Sequence, residues 1–223
     1  MFLLDILYNS FTNYLIFNLT FYISNALLFI IDHFMLMTKY KIQENRMQTN
    51  EMLKYTYKKT IPTVLQNSLI NIIPIFLVAG TYETNYKESF SIFKFGYDIL
   101  IARIMTEIFF YIAHRIFHLN PFYQKYHKKH HEITSPVGIT SIYMTIPDLY
   151  FGNILPVYLP LLILNAHPIT IKFWIVATTL NTIFFAHSGF DKIANSHDYH
   201  HSHFNKNFGT DLFMDKLFGT HHG

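Results

Sequence analysis

The chain contains no cysteine. That excludes disulfides, thiolate-bound zinc, iron–sulfur clusters and cysteine nucleophiles. Charge is also scarce: 14% of the 223 residues are Asp, Glu, Lys or Arg, against roughly 25% in ordinary soluble domains. Against that shortage, 51% are hydrophobic and 18% aromatic, which points to an integral membrane protein. No G-x-G-x-x-G fingerprint and no haem-attachment motif occurs, so neither a bound dinucleotide nor a covalently attached haem is expected. There is no Gly/Ser linker, low-complexity tract or internal boundary. The net charge of +3 is small, and Lys and Arg lie in short stretches beside apolar segments. Nucleic acid is therefore not an expected partner. The first residues, MFLLDILYNSFTN, have no basic region or small-residue cleavage site, so no signal peptide is expected. The last, GTHHG, are not a KDEL-type address.

Apolar runs at 14–37, 63–80, 96–113, 148–164 and 168–186 predict an all-α membrane bundle of about four to five spans. Asn18 and Asn25 in the first run must face other helices rather than lipid. Residues 38–60 and 114–132 are rich in Lys and Arg and are placed on the cytoplasmic side. Residues 81–95 have balanced charge and suit the far side. In the third run Arg103 and Glu107 are four apart and are expected to pair on one helix face. The runs 148–164 and 168–186, joined by Asn165-Ala166-His167, predict a hairpin that leaves the cytoplasmic side and returns to it. Residues 1–113 thus read as membrane helices leading into a site, and 114–223 as the catalytic region of the same domain.

What the chain has in excess is histidine. Ten of its 14 His fall within 114–131 and 187–203, where an even spread would leave about two. His114 and His118 form H-x-x-x-H; His127, His130 and His131 form H-x-x-H-H; His197, His200 and His201 repeat it. On a helix, positions i, i+3 and i+4 share a face, so each group offers several imidazoles to one or two ions. Imidazole suits iron, copper, nickel and zinc. A zinc ion is normally satisfied by three or four ligands. This cluster instead suits two ions with positions left for oxygen, and a non-haem di-iron centre held by bundled helices is the expectation. No Glu-x-x-His pair of the carboxylate-rich kind is present. Glu132, Asp191 and Asp198 adjoin the clusters and are candidates to orient the imidazoles. His33, His167, His221 and His222 read as ordinary surface or hydrogen-bonded residues, and His203 points elsewhere if its stretch is helical. The non-catalytic alternative is a metal-binding or metal-transporting membrane protein.

With these residues in place the chain resembles the fatty acid hydroxylase/sterol desaturase superfamily. The resemblance covers about residues 114–220. It is carried by HRIFH, HKKHH, HSG at 187–189, and HDYHH followed by Phe204, Asn207 and DKLFGT at 215–220. It implies metal-ligand roles for His114, His118, His127, His130, His131, His187, His197, His200 and His201, and adds Asn207 to the supporting candidates. HHSHFNKNF, YMT at 143–145 and HPIT at 167–170 are most similar to the cholesterol 25-hydroxylase-like branch. HKKHHE, HSG and FGT are shared with the methylsterol monooxygenase branch. The resemblance implies an endoplasmic reticulum enzyme with cytosolic His clusters. It would use two Fe ions and O2 to hydroxylate a sterol or related lipid, or alternatively to oxidise a fatty acyl chain. Its electrons would come from cytochrome b5 or an NAD(P)H reductase.

Overall fold

Residues 2–41, 49–190 and 194–222 are described by a computed structural model. Among them there is no strand; one isolated antiparallel bridge joins Lys41 to Phe190. The first helix, α1 (Phe2–His33), is inverted relative to a soluble helix. Its inward residues are Ser10, Asn13, Phe17, Asn18, Phe21, Ser24, Asn25 and Leu28, whereas Leu3, Leu7, Leu19, Ile23 and Leu27 are exposed. That pattern suits lipid outside and close helix contact inside. Asn18 and Asn25 are buried as expected, each donating its amide to the carbonyl four residues earlier.

α1 packs chiefly on α3 (Ile73–Asn85). The approach is closest at Gly80, where a Cβ would lie 2.1 Å from Ser10 Oγ. α3 continues α2 (Asn50–Leu65) through a π-helical segment, Gln66–Asn71. The run expected to begin at residue 63 therefore starts at Asn50, where the Thr49 side chain caps the first turn through Met52 N–H. Half of the expected polar loop is thus helix; residues 42–48, with Glu44 and Arg46, lie outside the described residues.

α4 (Ile92–Phe117) runs toward the histidines. A π-helical segment, Asp148–Ile154, and α5 (Leu155–Ile163) run back along it, and α6 (Pro168–Leu180) returns. At the far end His167 caps α6, its Nδ1 accepting from Ile169 N–H, while Tyr82 OH donates to the Ala166 carbonyl. Among the described residues, three helices are long and apolar enough to cross a membrane: Phe2–His33, Asn50–Asn85 and Pro168–Ala186. The other two expected spans are helical but fall short. α4 carries Lys94, Asp98, Arg103 and Glu107, and Asp148–Ile163 is shorter than the roughly 20 residues a span needs.

The expected Arg103–Glu107 pair does not form. Arg103 donates two hydrogen bonds to Asp211, and Glu107, fully buried, accepts from the backbone of Thr210, Asp211 and Met214. The long-range partner wins because it removes unpaired backbone donors from the interior.

Candidate metal centre

Nine imidazoles converge where α4 ends, α6 ends and α7 (Asn195–His203) begins. His114 lies in the last turn of α4 and His118 caps it. His127 ends a short π-helical segment and His130 and His131 open a 3₁₀ turn. His187 follows the π-helical end of the α6 run, and His197, His200 and His201 project from α7. They form two sets, His114, His118, His127, His131 and His200, and His130, His187, His197 and His201. Within each set the ring nitrogens lie within 4.8 Å of one another.

Each H-x-x-H-H group divides between the sets. His127 and His131 enter the first while His130 enters the second; His197 and His201 enter the second while His200 enters the first. On α7 the reason is helical geometry. At 3.6 residues per turn, position i+4 lies about 40° to one side of i and i+3 about 60° to the other. The i, i+4 pair aims at one point and the third imidazole at another.

Most Nδ1 atoms are held by oxygen acceptors. His114 donates to Phe208 O at 2.8 Å, His187 to Thr182 O at 2.8 Å, His200 to Lys206 O at 2.7 Å and His201 to Ile133 O at 3.2 Å. His127 Nδ1 faces Asp148 Oδ2 at 2.8 Å, and Asp148 is fully buried. A proton on Nδ1 leaves Nε2 as a lone pair. His114 and His127 are both held so, yet their Nε2 atoms lie 3.2 Å apart. Nε2 of His131, whose Nδ1 is buried without a partner, lies 3.0 Å from Nε2 of His127, and Nε2 of His197 lies 3.1 Å from that of His201. The Nε2 atoms of His118, His187 and His200 are buried with no hydrogen-bond partner. Opposed lone pairs and orphaned buried acceptors are costly unless a cation lies among them. Burial holds the imidazoles neutral: it pushes His127 and His187 down to about 3 and His130 to about 4, and the rest further. Neutral imidazole is the form a metal binds, so the residues present fit such a group.

The supporting candidates fare unevenly. Glu132 bonds to Lys59 and Tyr143 OH rather than to a ring. Burial alone would raise its pKa, but those two hydrogen bonds outweigh it and hold it low. It reaches the site only through the Tyr143 carbonyl, 3.4 Å from His130 Nδ1. Asp198 is buried on α7 between His197 and His200. Asn207 clamps the chain end, donating to Ser196 O and His222 O and accepting from His222 N–H. Asp191 lies outside the described residues. His203 stacks on Tyr199 and turns away, as do His33 on Phe29 and His222 on Tyr199. A carboxylate not among those candidates, Asp148, meets His127 and stands in a stretch read as membrane span. A lone acid inside an apolar run was the available signal. Beside His118 a cleft of ≈ 390 Å³ opens between Tyr123, Phe204 and Phe208, with Arg115 at its wall.

A helical bundle with membrane-length helices and two neighbouring polyhistidine sets defines a class of membrane proteins whose histidines could hold metal ions. Similarity to known proteins narrows the class. The fatty acid hydroxylase family model matches residues 99–220, and the chain belongs to that family. It is 30% identical over 216 residues to human fatty acid hydroxylase domain-containing protein 2, covering 91% of this chain and 63% of the relative. It is 31% identical to fatty acid hydroxylase ahd1 of Mycosarcoma maydis, covering 82% and 49%. It is 29% identical to rat methylsterol monooxygenase 1, covering 86% and 70%. The chain thus spans less than two thirds of the length of the first relatives it matches. No solved structure matches.

Proposed function

We propose that the chain is a membrane-bound oxygenase that hydroxylates a sterol or related lipid at a di-iron centre. The nine imidazoles would serve as ligands, in sets of five and four. The observation that carries this reading is the opposition of the His114 and His127 Nε2 atoms at 3.2 Å while both Nδ1 atoms are held, beside the buried and unpartnered Nε2 atoms of His118, His187 and His200. Two irons held there would supply O2 activation and transfer of one oxygen atom to a C–H bond. The other oxygen atom would leave as water at the expense of two external electrons.

The chain's own part is to bind, aim and exclude water. Asp148 and the carbonyls of Phe208, Thr182, Lys206 and Ile133 hold the Nδ1 protons and so aim the rings. Phe208 and Phe204 wall the first set from solvent. The cleft at His118 offers an apolar approach for a substrate carbon. Cytochrome b5 or an NAD(P)H reductase is the proposed electron source, and the endoplasmic reticulum membrane with cytosolic histidines the proposed setting. The names of the relatives support a lipid substrate of either kind, and the short HHSHFNKNF stretch favours the cholesterol 25-hydroxylase-like branch over a fatty acyl one.

Purified protein should take up iron, and membranes containing it should consume O2 and oxidise sterol when supplied with reductase and NAD(P)H. Changing His130 or His200 to Ala, one from each set, should reduce turnover to background with insertion unchanged. Stable zinc with no oxygen-dependent turnover after iron loading would replace the oxygenase by a metal-binding protein. Products confined to acyl lipids would replace the sterol.

A further inference from the structure

The loop that follows α7 supplies no imidazole to either set, yet two fully buried carboxylates serve it. Glu107 stands on α4 two turns before His114. One of its oxygens accepts from Thr210 N–H, Asp211 N–H and Thr210 Oγ1, and the other from Met214 N–H at 3.1 Å. Asp215 accepts from Phe208 N–H at 2.9 Å, Gly209 N–H at 2.7 Å and Thr220 Oγ1 at 2.7 Å. Gly209 lies between the two acids; a Cβ there would sit 2.4 Å from Glu107 Oε1. The Phe208 carbonyl, which takes His114 Nδ1 at 2.8 Å, belongs to the peptide whose Gly209 N–H Asp215 holds, and Glu107 fixes the two residues that follow it. The cation nearest Glu107 in the helix, Arg103, is committed to Asp211. Glu107 therefore spends its acceptors on the backbone of one loop.

We propose that Glu107 is a positioning residue for the five-histidine set. It acts through residues 208–211, whose placement fixes the Phe208 carbonyl and thereby the tautomer and aim of His114. This rests on the metal-centre reading for its consequence but not for its geometry. A carboxylate that merely filled space would not need to match four donors. This one satisfies them at the single point where α4, the C-terminal loop and a candidate ligand meet. The same loop carries the Phe208 ring, edge-on to His114, His118 and His200.

The test uses Glu107→Gln in the full chain, which keeps volume but turns an amide NH2 toward backbone donors. In iron-free protein labelled with 15N-histidine, the His114 ring signal, assigned by its loss in His114→Ala, should shift. Iron should bind about 10–100-fold more weakly at one site and normally at the other, the usual cost of losing an outer partner of a ligand. Adding Glu107→Gln to His114→Ala should weaken binding no further. An unmoved His114 signal, or losses that add in the double variant, overturns the proposal. Gly209→Ala, which drives a methyl against Glu107, should reproduce the shift, and Glu107→Asp in the same chain should relieve it; a Gly209→Ala chain that behaves as the unaltered one also overturns it. If the unaltered chain takes up no iron while Glu107→Gln still moves the His114 signal, the metal reading fails and the clamp stands. Normal iron uptake in Glu107→Gln with an unmoved signal overturns the clamp and leaves the metal reading in place.

Discussion

At the scale of single residues, the site is a problem in proton placement. Asp148 faces His127 Nδ1 from a position with no exposure to water. Asp148→Asn replaces the carboxyl by an amide that can present its NH2 to the ring, so the preferred tautomer is no longer enforced. Metal affinity should fall about 10–100-fold, read by chelator competition with the purified protein. The acid dependence has a definite sign. Burial lowers His127 and His187 to about 3 and His130 to about 4 in the folded chain, while in the unfolded chain they titrate near about 6.5. Asp148 opposes them, since burial raises it to about 7 and the folded state takes its proton first. Three imidazoles outnumber one carboxyl, so the unfolded state binds more protons between those values and stability of the metal-free protein falls as pH drops from about 6.5 toward 3. The midpoint of thermal unfolding, followed against pH, should slope downward on the acid side. Replacing His130 by Gln should flatten that slope.

At the scale of elements, the helices share a buried apolar core, and small residues let them approach closely. α1 and α3 touch where Ser10 meets Gly80. Gly80→Val should force them apart at a cost of about 1–3 kcal/mol, measurable as a lower unfolding midpoint in detergent, with Gly96→Val as a neutral control because its Cβ position is open. The π-helical segment at Gln66–Asn71 reaches toward the site as well. Its Asn67 donates to the carbonyls of Ile142 and Met144, next to the Tyr143 carbonyl that faces His130. A widened turn of this kind is often found at functional sites, and nothing in the apolar pattern of residues 63–80 announces it. Lys41 is similarly specific, pairing with Asp32 and donating to Ser188 O, and so ties the end of α1 to the residue after His187.

For the whole molecule, α4, the run of α5 and α6 form the relay that carries the chain from the histidines to the far end and back. His114 and His187, remote in sequence, emerge together because each ends an arm of that relay. The exposed Lys125 and the exposed Ser89 then belong to opposite ends. Since the chain has no cysteine, single Lys125→Cys and Ser89→Cys variants report orientation without background. In sealed vesicles with the cytosolic face outward, a membrane-impermeant maleimide should label the first at once and the second only after permeabilisation. Reversed labelling would put the histidines on the other side.

Composition and spacing were enough to mark a metal-binding membrane bundle. Ten clustered His, no Cys and long apolar runs leave few other uses for such a chain, and the hairpin after residue 148 could be read from hydropathy alone. Neither the Glu107 contact nor the remote imidazoles that complete each part of a divided H-x-x-H-H group could be read that way. Both depend on partners about 70 or 100 residues distant, and a periodicity of three or four residues carries no information about those. The i, i+4 preference suggested an Arg103–Glu107 pair. The folded chain gave Glu107 to buried amides instead, because an unpaired backbone donor in an interior costs more than a helix-surface ion pair returns. Likewise, spacing placed three imidazoles on one face and helical geometry parts the α7 trio two and one, but the tertiary structure alone brought the partners that make two sets.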